Sequence, residues 1–203
     1  MTRRFSVGTI GAGTVAQALA AHAVAAGHDV TLSNSRGPGS LAHVVAGLGP
    51  GATAGTVLDA ARAEIVVLAV HWVTVPEVAE AVPDWAGRIV VDVTNQWAGV
   101  EPMVAADLGD QTGSERNAEL MPGAHLVKAF NTLYGRITAQ NPRHAEGRLV
   151  TFLAGDDADA KATVAEFIDS LGFAPVDLGD LAIGRLMQVG GGPLSGLHAL
   201  RMG

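Results

Sequence analysis

The stretch that decides the fold is residues 9–16, which read Thr9-Ile10-Gly11-Ala12-Gly13-Thr14-Val15-Ala16. This Gly-x-Gly-x-x-Ala pattern joins an apolar run, residues 5–10, to an alanine-rich segment, residues 14–26, and so predicts a strand, a tight turn and a helix. Gly11 permits the turn, Gly13 lets a pyrophosphate approach the backbone, and Ala16 keeps the helix close to the strand. The pattern therefore predicts a dinucleotide site, with a purely structural turn as the alternative.

Strands and helices alternate along the rest of the chain. Continuous apolar runs predict further strands, at residues 28–33, 65–70, 88–93, 125–130, 149–153 and 174–176. Helices are expected between them, at residues 39–47, 75–81, 114–120 and 158–171, with a helical tail from about residue 181. The alternation predicts an α/β, Rossmann-type doubly wound parallel sheet. We expect residues 1–135 to form the NADP-binding domain and residues 136–203 a small C-terminal α/β domain on the substrate side.

Composition excludes several classes of protein. The 13 Lys plus Arg against 20 Asp plus Glu give a net charge of −7, which disfavours nucleic-acid binding. There is no cysteine, hence no disulfide and no sulfur-based zinc site, and we expect no metal. The acidic cluster Asp156, Asp157 and Asp159 is expected to cap a helix. No apolar window is long enough to span a membrane and no targeting segment is recognised, so we expect a soluble, cytoplasmic protein.

The end of the second predicted strand indicates which dinucleotide binds. An NAD site usually has an acidic residue there, but this chain has Ser33-Asn34-Ser35-Arg36 and no carboxylate between Asp29 and Asp59. Hydroxyls, an amide and a guanidinium suit a 2′-phosphate. We therefore expect Asn34, Ser35 and Arg36 to bind NADP(H), with an exposed turn as the alternative.

Two further strands end in residues that face the same crevice. Val70, His71 and Trp72 follow one strand, and Asn95 follows the next. His71 has two open roles, lining the nicotinamide pocket or transferring a proton, and lining is favoured because the sequence names no partner carboxylate. Asn95 is expected to bond the ribose or the carboxamide.

No acid or base of a known dehydrogenase pattern is present. Tyr134 is followed four residues later by Thr138, so the Tyr-x-x-x-Lys pair is absent. Lys128 and Asn131 match the Lys-x-x-Asn of β-hydroxyacid dehydrogenases, but here the pattern ends a strand. Hydride can still pass directly between two oriented rings. We therefore expect no indispensable catalytic residue, and only modest losses of turnover from His71→Ala and Lys128→Ala.

The glycine pattern occurs together with several other motifs in a recognisable order. These are Ser33-Asn-Ser-Arg36, Val70-His-Trp72, Val127-Lys-Ala-Phe-Asn-Thr-Leu133, Phe152-Leu-Ala-Gly-Asp-Asp157 and Asp177-Leu-Gly-Asp180. The chain resembles the coenzyme F-420-dependent NADP oxidoreductase family. The resemblance implies a Rossmann domain with a small C-terminal domain, a homodimer, and direct hydride transfer between NADP(H) and a deazaflavin.

The resemblance also implies roles for individual residues. The pyrophosphate would lie against Gly11, Ala12, Gly13, Thr14 and Val15, and the 2′-phosphate against Ser35 and Arg36. Val70, His71 and Trp72 would lie near the ribose and nicotinamide, and Ala129 between the rings. The acceptor would be bordered by Phe130, Asn131, Thr132 and Leu133.

The acceptor remains open at this stage. Asn131-Thr132 stands where archaeal members have a His-Thr pair. The same module resembles the cytoplasmic domain of membrane ferric reductases, whose acceptor is a flavin. The alternatives are therefore a flavin or other small acceptor, or a non-catalytic NADP-binding sensor.

The C-terminal tail is apolar at regular intervals. Leu194, Leu197 and Leu200 are spaced by three, followed by Met202, which predicts one helical face. We expect this face to pack on a second subunit, with packing inside its own domain as the alternative.

Overall fold

The computed structural model describes residues 3–189 and 191–202. The described residues form one ten-stranded sheet with helices on both faces. Its strands are β1 (Ser6–Ile10), β2 (Asp29–Ser33), β3 (Ala52–Ala54), β4 (Ile65–Leu68), β5 (Ile89–Asp92), β6 (His125–Ala129), β7 (Arg143–His144), β8 (Gly147–Gly155), β9 (Ala174–Asp177) and β10 (Leu200–Met202).

Six of the strands are parallel and lie in the order β6-β5-β4-β1-β2-β3. The chain leaves β1 toward β2 and β3, and then crosses back to the other side of β1 as β4. Ligands of open α/β sheets bind at such a reversal, outside the carboxyl ends of the strands. The predicted Rossmann-type fold is therefore confirmed, and its crevice lies between β1 and β4.

Beyond β6 the sheet is mixed, whereas the sequence predicts a parallel one. β8 runs antiparallel to β6, β10 runs antiparallel to β8, and β9 is parallel to β8. An antiparallel neighbour needs no crossover helix lying across the sheet, so the chain returns from β6 through residues 130–146 and enters β8 in the opposite direction. The strands after residue 135 thus continue the same sheet.

The helices lie close to their predicted positions. They are α1 (Thr14–Ala25), α2 (Ala42–Leu48), α3 (Val57–Ala60), α4 (Val75–Ala81), α5 (Gly113–Leu120), α6 (Gly135–Thr138) and α7 (Ala158–Ser170), with 3-10 helices at Pro38–Leu41, Trp72–Thr74 and Leu181–Met187. The side chain of Asp157 caps α7 by accepting a hydrogen bond from the amide of Ala160, as expected.

Several sequence-based expectations need correction. The tail is not one helical face, because its residues Leu200–Met202 form β10 along the edge of β8. The helix from residue 181 is a 3-10 helix that ends at Met187. β3 and α3 were not predicted, because three and four residues are too short to show a periodicity.

The sheet separates two apolar cores because neighbouring strand residues point to opposite faces. In β4, Val67 belongs to one core, while Val66 and Leu68 belong to the other. The first core packs α1 and α7 on the sheet, and the second packs α4. In the part of the chain that the structure describes, no helix combines the length and the apolar character that crossing a membrane requires.

Candidate dinucleotide-binding site

The turn between β1 and α1, residues 11–13, is here called the glycine loop. Gly11 has a φ of +106°, and a Cβ at this position would lie 2.1 Å from the carbonyl oxygen of Ala69. No other residue type fits there without moving the end of β4. Ala16 is fully buried, which lets α1 approach the sheet closely. The residues predicted to form the tight turn and the close packing do so.

Gly13 differs from Gly11 in its surroundings. Its φ is −77°, and a Cβ added to it would meet no atom within 4 Å. Gly13 is the N-cap of α1, no side chain caps this helix, and its first turn has no acidic residue. The helix therefore presents uncapped amides beside open space, an arrangement that suits an anion.

The glycine loop opens onto a cavity of about 670 Å³, here called the glycine-loop cleft. The volume is in the range of small-molecule and cofactor sites. Ten of the predicted cofactor residues line it, namely Gly11, Ala12, Gly13, Thr14, Val15, Asn34, Ser35, Arg36, Val70 and His71. The fold therefore brings together residues from the ends of three neighbouring strands, β1, β2 and β4.

The turn after β2 has a defined hydrogen-bond pattern. Ser33 is buried and its hydroxyl donates to the carbonyl of Thr9 over 2.7 Å, which joins β2 to β1. The Asn34 side chain accepts from the backbone amide of Arg36 over 3.0 Å and fixes the turn. Arg36 is exposed, and its side chain forms no ion pair within the described residues. Its charge is thus available to a ligand of the glycine-loop cleft.

His71 and Trp72 have different environments although they are adjacent. His71 is exposed and lines the glycine-loop cleft. Trp72 points away from it, packs against the second core, and donates from its ring nitrogen to the carbonyl of Gly113 over 3.3 Å. The structure thus places Trp72 as a link between the β4–α4 connection and α5, outside the lining predicted for it.

Asn95 also lies outside the lining of the glycine-loop cleft. Its Oδ1 accepts from the Asn131 side chain over 3.0 Å and from the Val189 amide over 3.2 Å, and its Nδ2 is 3.3 Å from the Asn131 carbonyl. The Asn131 side chain also donates to the carbonyl of Met187 over 2.8 Å. The two asparagines therefore connect the end of β5 to the C-terminal segment, and the bond of Asn95 to the ribose or the carboxamide stays a prediction.

The residues predicted to border the acceptor, and Ala129 before them, are buried. Ala129 is fully buried in the first core, as part of β6, and does not line the glycine-loop cleft. Phe130 has a φ of +59° and packs edge-on against Phe173 at 5.7 Å. Asn131, Thr132 and Leu133 are each 5% exposed or less. The left-handed turn at Phe130 directs this segment into the protein, so the structure places these residues beneath the surface.

A buried polar cluster next to the crevice was not predicted. It is here called the Lys128 cluster and comprises Asp92, Thr94, Ser114, Asn117 and Lys128. The Lys128 ammonium donates to the Thr94 carbonyl over 3.1 Å and to the Ser114 hydroxyl over 3.0 Å. Ser114 donates to Asp92 over 2.6 Å, and so do the Asn117 side chain and the Thr94 amide, at 3.1 and 2.9 Å. These bonds connect β5, β6 and α5.

The Lys128 cluster is a charged group in an apolar environment. Burial lowers the pKa of the Lys128 ammonium, and the negative charge of Asp92 opposes this shift. The sequence contained a signal for the cluster, because Lys128 and Asp92 are charged residues within apolar runs. Buried charges of this kind need partners, but a sequence does not name them.

A second cavity, of about 260 Å³, lies between residues 96–112 and residues 185–192 and is lined mainly by polar and glycine residues. The described residues contain no group of three or more histidine, aspartate or glutamate side chains that could hold a metal ion.

Comparison with known proteins finds similarity to oxidoreductases. The family model described as "NADP oxidoreductase coenzyme F-420-dependent" matches residues 6–96, which run from β1 through the glycine loop, Arg36 and His71. The rat (Rattus norvegicus) metalloreductase STEAP3 is 32% identical over 185 residues, covering 90% of this chain and 35% of that protein. The chain thus spans about a third of the length of the curated relatives it matches.

Two crystal structures are similar over nearly the whole chain. A hypothetical protein from Sinorhizobium meliloti has 41% identity and a TM-score of 0.91, covering 98% of this chain and 96% of its own. A proposed F-420-dependent NADP reductase from Arthrobacter sp. has 28% identity and a TM-score of 0.75, covering 89% and 87%. Residues 6–96, which contain the glycine loop that opens on the crevice, therefore belong to the coenzyme F-420-dependent NADP oxidoreductase family, and the fold of the whole chain is similar to that of a proposed member.

Proposed function

We propose that this protein transfers hydride between NADP(H) and the deazaflavin coenzyme F-420. The single observation that carries the proposal is the geometry at Gly13, where uncapped helix amides face open space at the carboxyl edge of a Rossmann sheet. Membership in a family of NADP oxidoreductases supports the choice of dinucleotide. The rest of the proposal concerns how the residues of the glycine-loop cleft would hold it.

The residues present fit NADP(H). The amides of Thr14 and Val15 at the start of α1 would bind the pyrophosphate, since a side chain at Gly13 would fill the space it needs. Arg36, at the end of β2, would pair with the 2′-phosphate, and Ser35 would donate a hydrogen bond to it. The negative charge of the ligand is thus matched at two separate points.

In this proposal the protein does not need to provide an acid or a base for the hydride transfer. NADPH would supply a hydride when bound, and a deazaflavin would accept it at a ring carbon and take a proton from solvent at a ring nitrogen. The chain would orient the two rings and exclude water, and orientation alone can lower a barrier by about 7 to 11 kcal/mol. His71, the one histidine among the residues lining the glycine-loop cleft, would therefore be dispensable for the chemical step.

A flavin acceptor is the second candidate, and one observation favours it. The chain is 32% identical to a metalloreductase over 90% of its own length. In that case the module would pass hydride from NADPH to a flavin, and a metal ion would be the final substrate rather than a resident cofactor. A non-catalytic sensor of NADP(H) is the third candidate function.

An acceptor screen separates these functions. NADPH oxidation is followed at 340 nm with F-420, FMN, FAD, or FMN plus ferric citrate, under anaerobic conditions. Turnover with F-420 at least about tenfold above the flavins supports the first proposal, and the reverse ratio supports the second. Tight NADPH binding without turnover on any acceptor would support the sensor and overturn both enzyme proposals.

We also propose that the protein is a homodimer, in which the edge strand β10 takes the place of the helical face expected for the tail. β10 forms an edge of the sheet, and its residues Leu200 and Met202 are exposed apolar side chains, at 38% and 69%. An exposed apolar edge strand is an ordinary surface for pairing with another chain. Light scattering that gives a monomer mass at assay concentrations would contradict this proposal.

A further inference from the structure

Three helices of this protein begin with the same short pattern, a threonine followed three residues later by an acidic residue. This pattern usually forms a capping box, in which the two side chains bind each other's backbone amides. The three pairs are Thr56 and Asp59 before α3, Thr112 and Glu115 before α5, and Thr74 and Glu77 before α4. The first two pairs form complete capping boxes.

The third pair does not form a capping box. The Thr74 hydroxyl donates to the carbonyl of His71 over 2.8 Å, and the Thr74 amide donates to the same carbonyl over 2.9 Å. The amide that Glu77 would cap is therefore already bonded. Glu77 is exposed and instead lines the glycine-loop cleft, where it is the one acidic residue among the lining residues. Among the described residues it makes no ion pair.

The wall beside Glu77 is apolar. Val57, Val70 and Val78 line the glycine-loop cleft, and all three pack against the second core. Val57 begins α3, which follows β3 and contacts β1 and β2, the half of a Rossmann sheet that holds adenosine. Arg36, which is proposed to bind the 2′-phosphate on the adenosine ribose, follows β2 in this half of the sheet. An apolar wall at that end suits the face of a purine base.

We propose that Glu77 determines specificity for the adenine base by accepting a hydrogen bond from its 6-amino group. This inference rests on the proposed binding of NADP(H). A carboxylate only accepts hydrogen bonds and repels phosphates, so its partner on a dinucleotide is an uncharged N–H or O–H group. The 6-amino group of adenine is such a donor, and it lies at the edge of the base whose face meets the apolar wall.

The test compares two dinucleotides that differ at this one group. Dissociation constants are measured by fluorescence titration for NADPH and for reduced nicotinamide hypoxanthine dinucleotide phosphate, in which an oxygen replaces the 6-amino group. The wild type is expected to bind the hypoxanthine form about tenfold more weakly, since the two oxygens would repel each other. Glu77→Gln should reduce this ratio to about twofold or less, because an amide can accept from adenine or donate to hypoxanthine.

Glu80→Gln is the matched control. Glu80 lies one turn further along α4, is exposed, and does not line the glycine-loop cleft. The Glu80→Gln substitution removes the same charge from the same helix and should keep the tenfold ratio. A third ligand, the reduced 3-acetylpyridine analogue of NADPH, differs from NADPH only in the carboxamide at the nicotinamide end. Its affinity relative to that of NADPH should be the same in Glu77→Gln as in the wild type.

Four results would overturn the inference. They are equal binding of the two bases by the wild type, a ratio unchanged in Glu77→Gln, the same reduction in Glu80→Gln, and an effect of Glu77→Gln confined to the acetylpyridine analogue. The first three leave NADPH binding intact. Failure of the wild type to bind NADPH at all would instead contradict the proposed function, and this inference with it.

Discussion

Substituting valine for Gly13 should separate binding from folding. A Cβ at this position points into open space, and the φ of −77° is one that any residue adopts. At Gly11, two residues earlier, a Cβ would lie 2.1 Å from a backbone oxygen and the φ is +106°. The same substitution therefore has opposite expected consequences at two glycines of one loop.

The expected magnitudes follow from these surroundings. Valine is a poorer N-cap than glycine by about 0.5 to 1 kcal/mol, which lowers the melting temperature of a protein of this size by roughly 1 to 4 °C. Its side chain would occupy the place proposed for the pyrophosphate, so NADPH affinity should fall by more than about a hundredfold, or about 2.7 kcal/mol. Gly11→Val should cost several kcal/mol of stability, because the end of β4 must move.

The assay combines thermal unfolding with titration of NADPH by fluorescence. Gly47→Val is the matched control, because Gly47 is an exposed position of α2 where a Cβ meets nothing within 4 Å. It should keep both its melting temperature and its NADPH affinity. A folded Gly13→Val protein whose NADPH affinity is within about threefold of the wild type would refute the assignment of this loop to the pyrophosphate.

Three further changes test other parts of the structure. Arg36→Ala should weaken NADPH binding by roughly ten- to a hundredfold and leave NADH binding unchanged, because NADH has no 2′-phosphate; calorimetric titration measures both, and equal weakening would contradict the assignment. Lys128→Met leaves Asp92 buried without its cation, so it should lower the free energy of unfolding by about 3 to 5 kcal/mol. Urea denaturation measures this change, and an unchanged midpoint would contradict the prediction. Burial, and then the charge of Arg4, lower the pKa of His28 below 6.5, so the unfolded chain binds more protons than the folded protein below that pH. The contribution of His28 to stability is complete above pH 6.5 and decreases as the pH falls toward the lowered pKa; urea midpoints between pH 5 and 7 should show this slope in the wild type and a smaller one in His28→Gln.

Local rules predicted most of the fold correctly. β1, the glycine loop and α1 are contiguous in sequence, and their apolar runs and glycines specify them without distant contacts. The same is true of the turn at Arg36 and of the Asp157 cap, whose bonds join residues two or three positions apart. Ten predicted cofactor residues line one cavity for this reason.

Only the tertiary structure decided which residues beyond Val70 and His71 face the glycine-loop cleft. Asn95 and Asn131 are 36 positions apart and bond each other, and Ala129 is buried by packing from α7 and its neighbours. The antiparallel pairing of β8 with β6 likewise depends on how the chain returns. The sequence by itself determined the dinucleotide fold and its phosphate-facing residues, because those depend on local turns and periodicity. Long-range pairing decided the mixed edge of the sheet and the Lys128 cluster, since each depends on partners brought together only by folding.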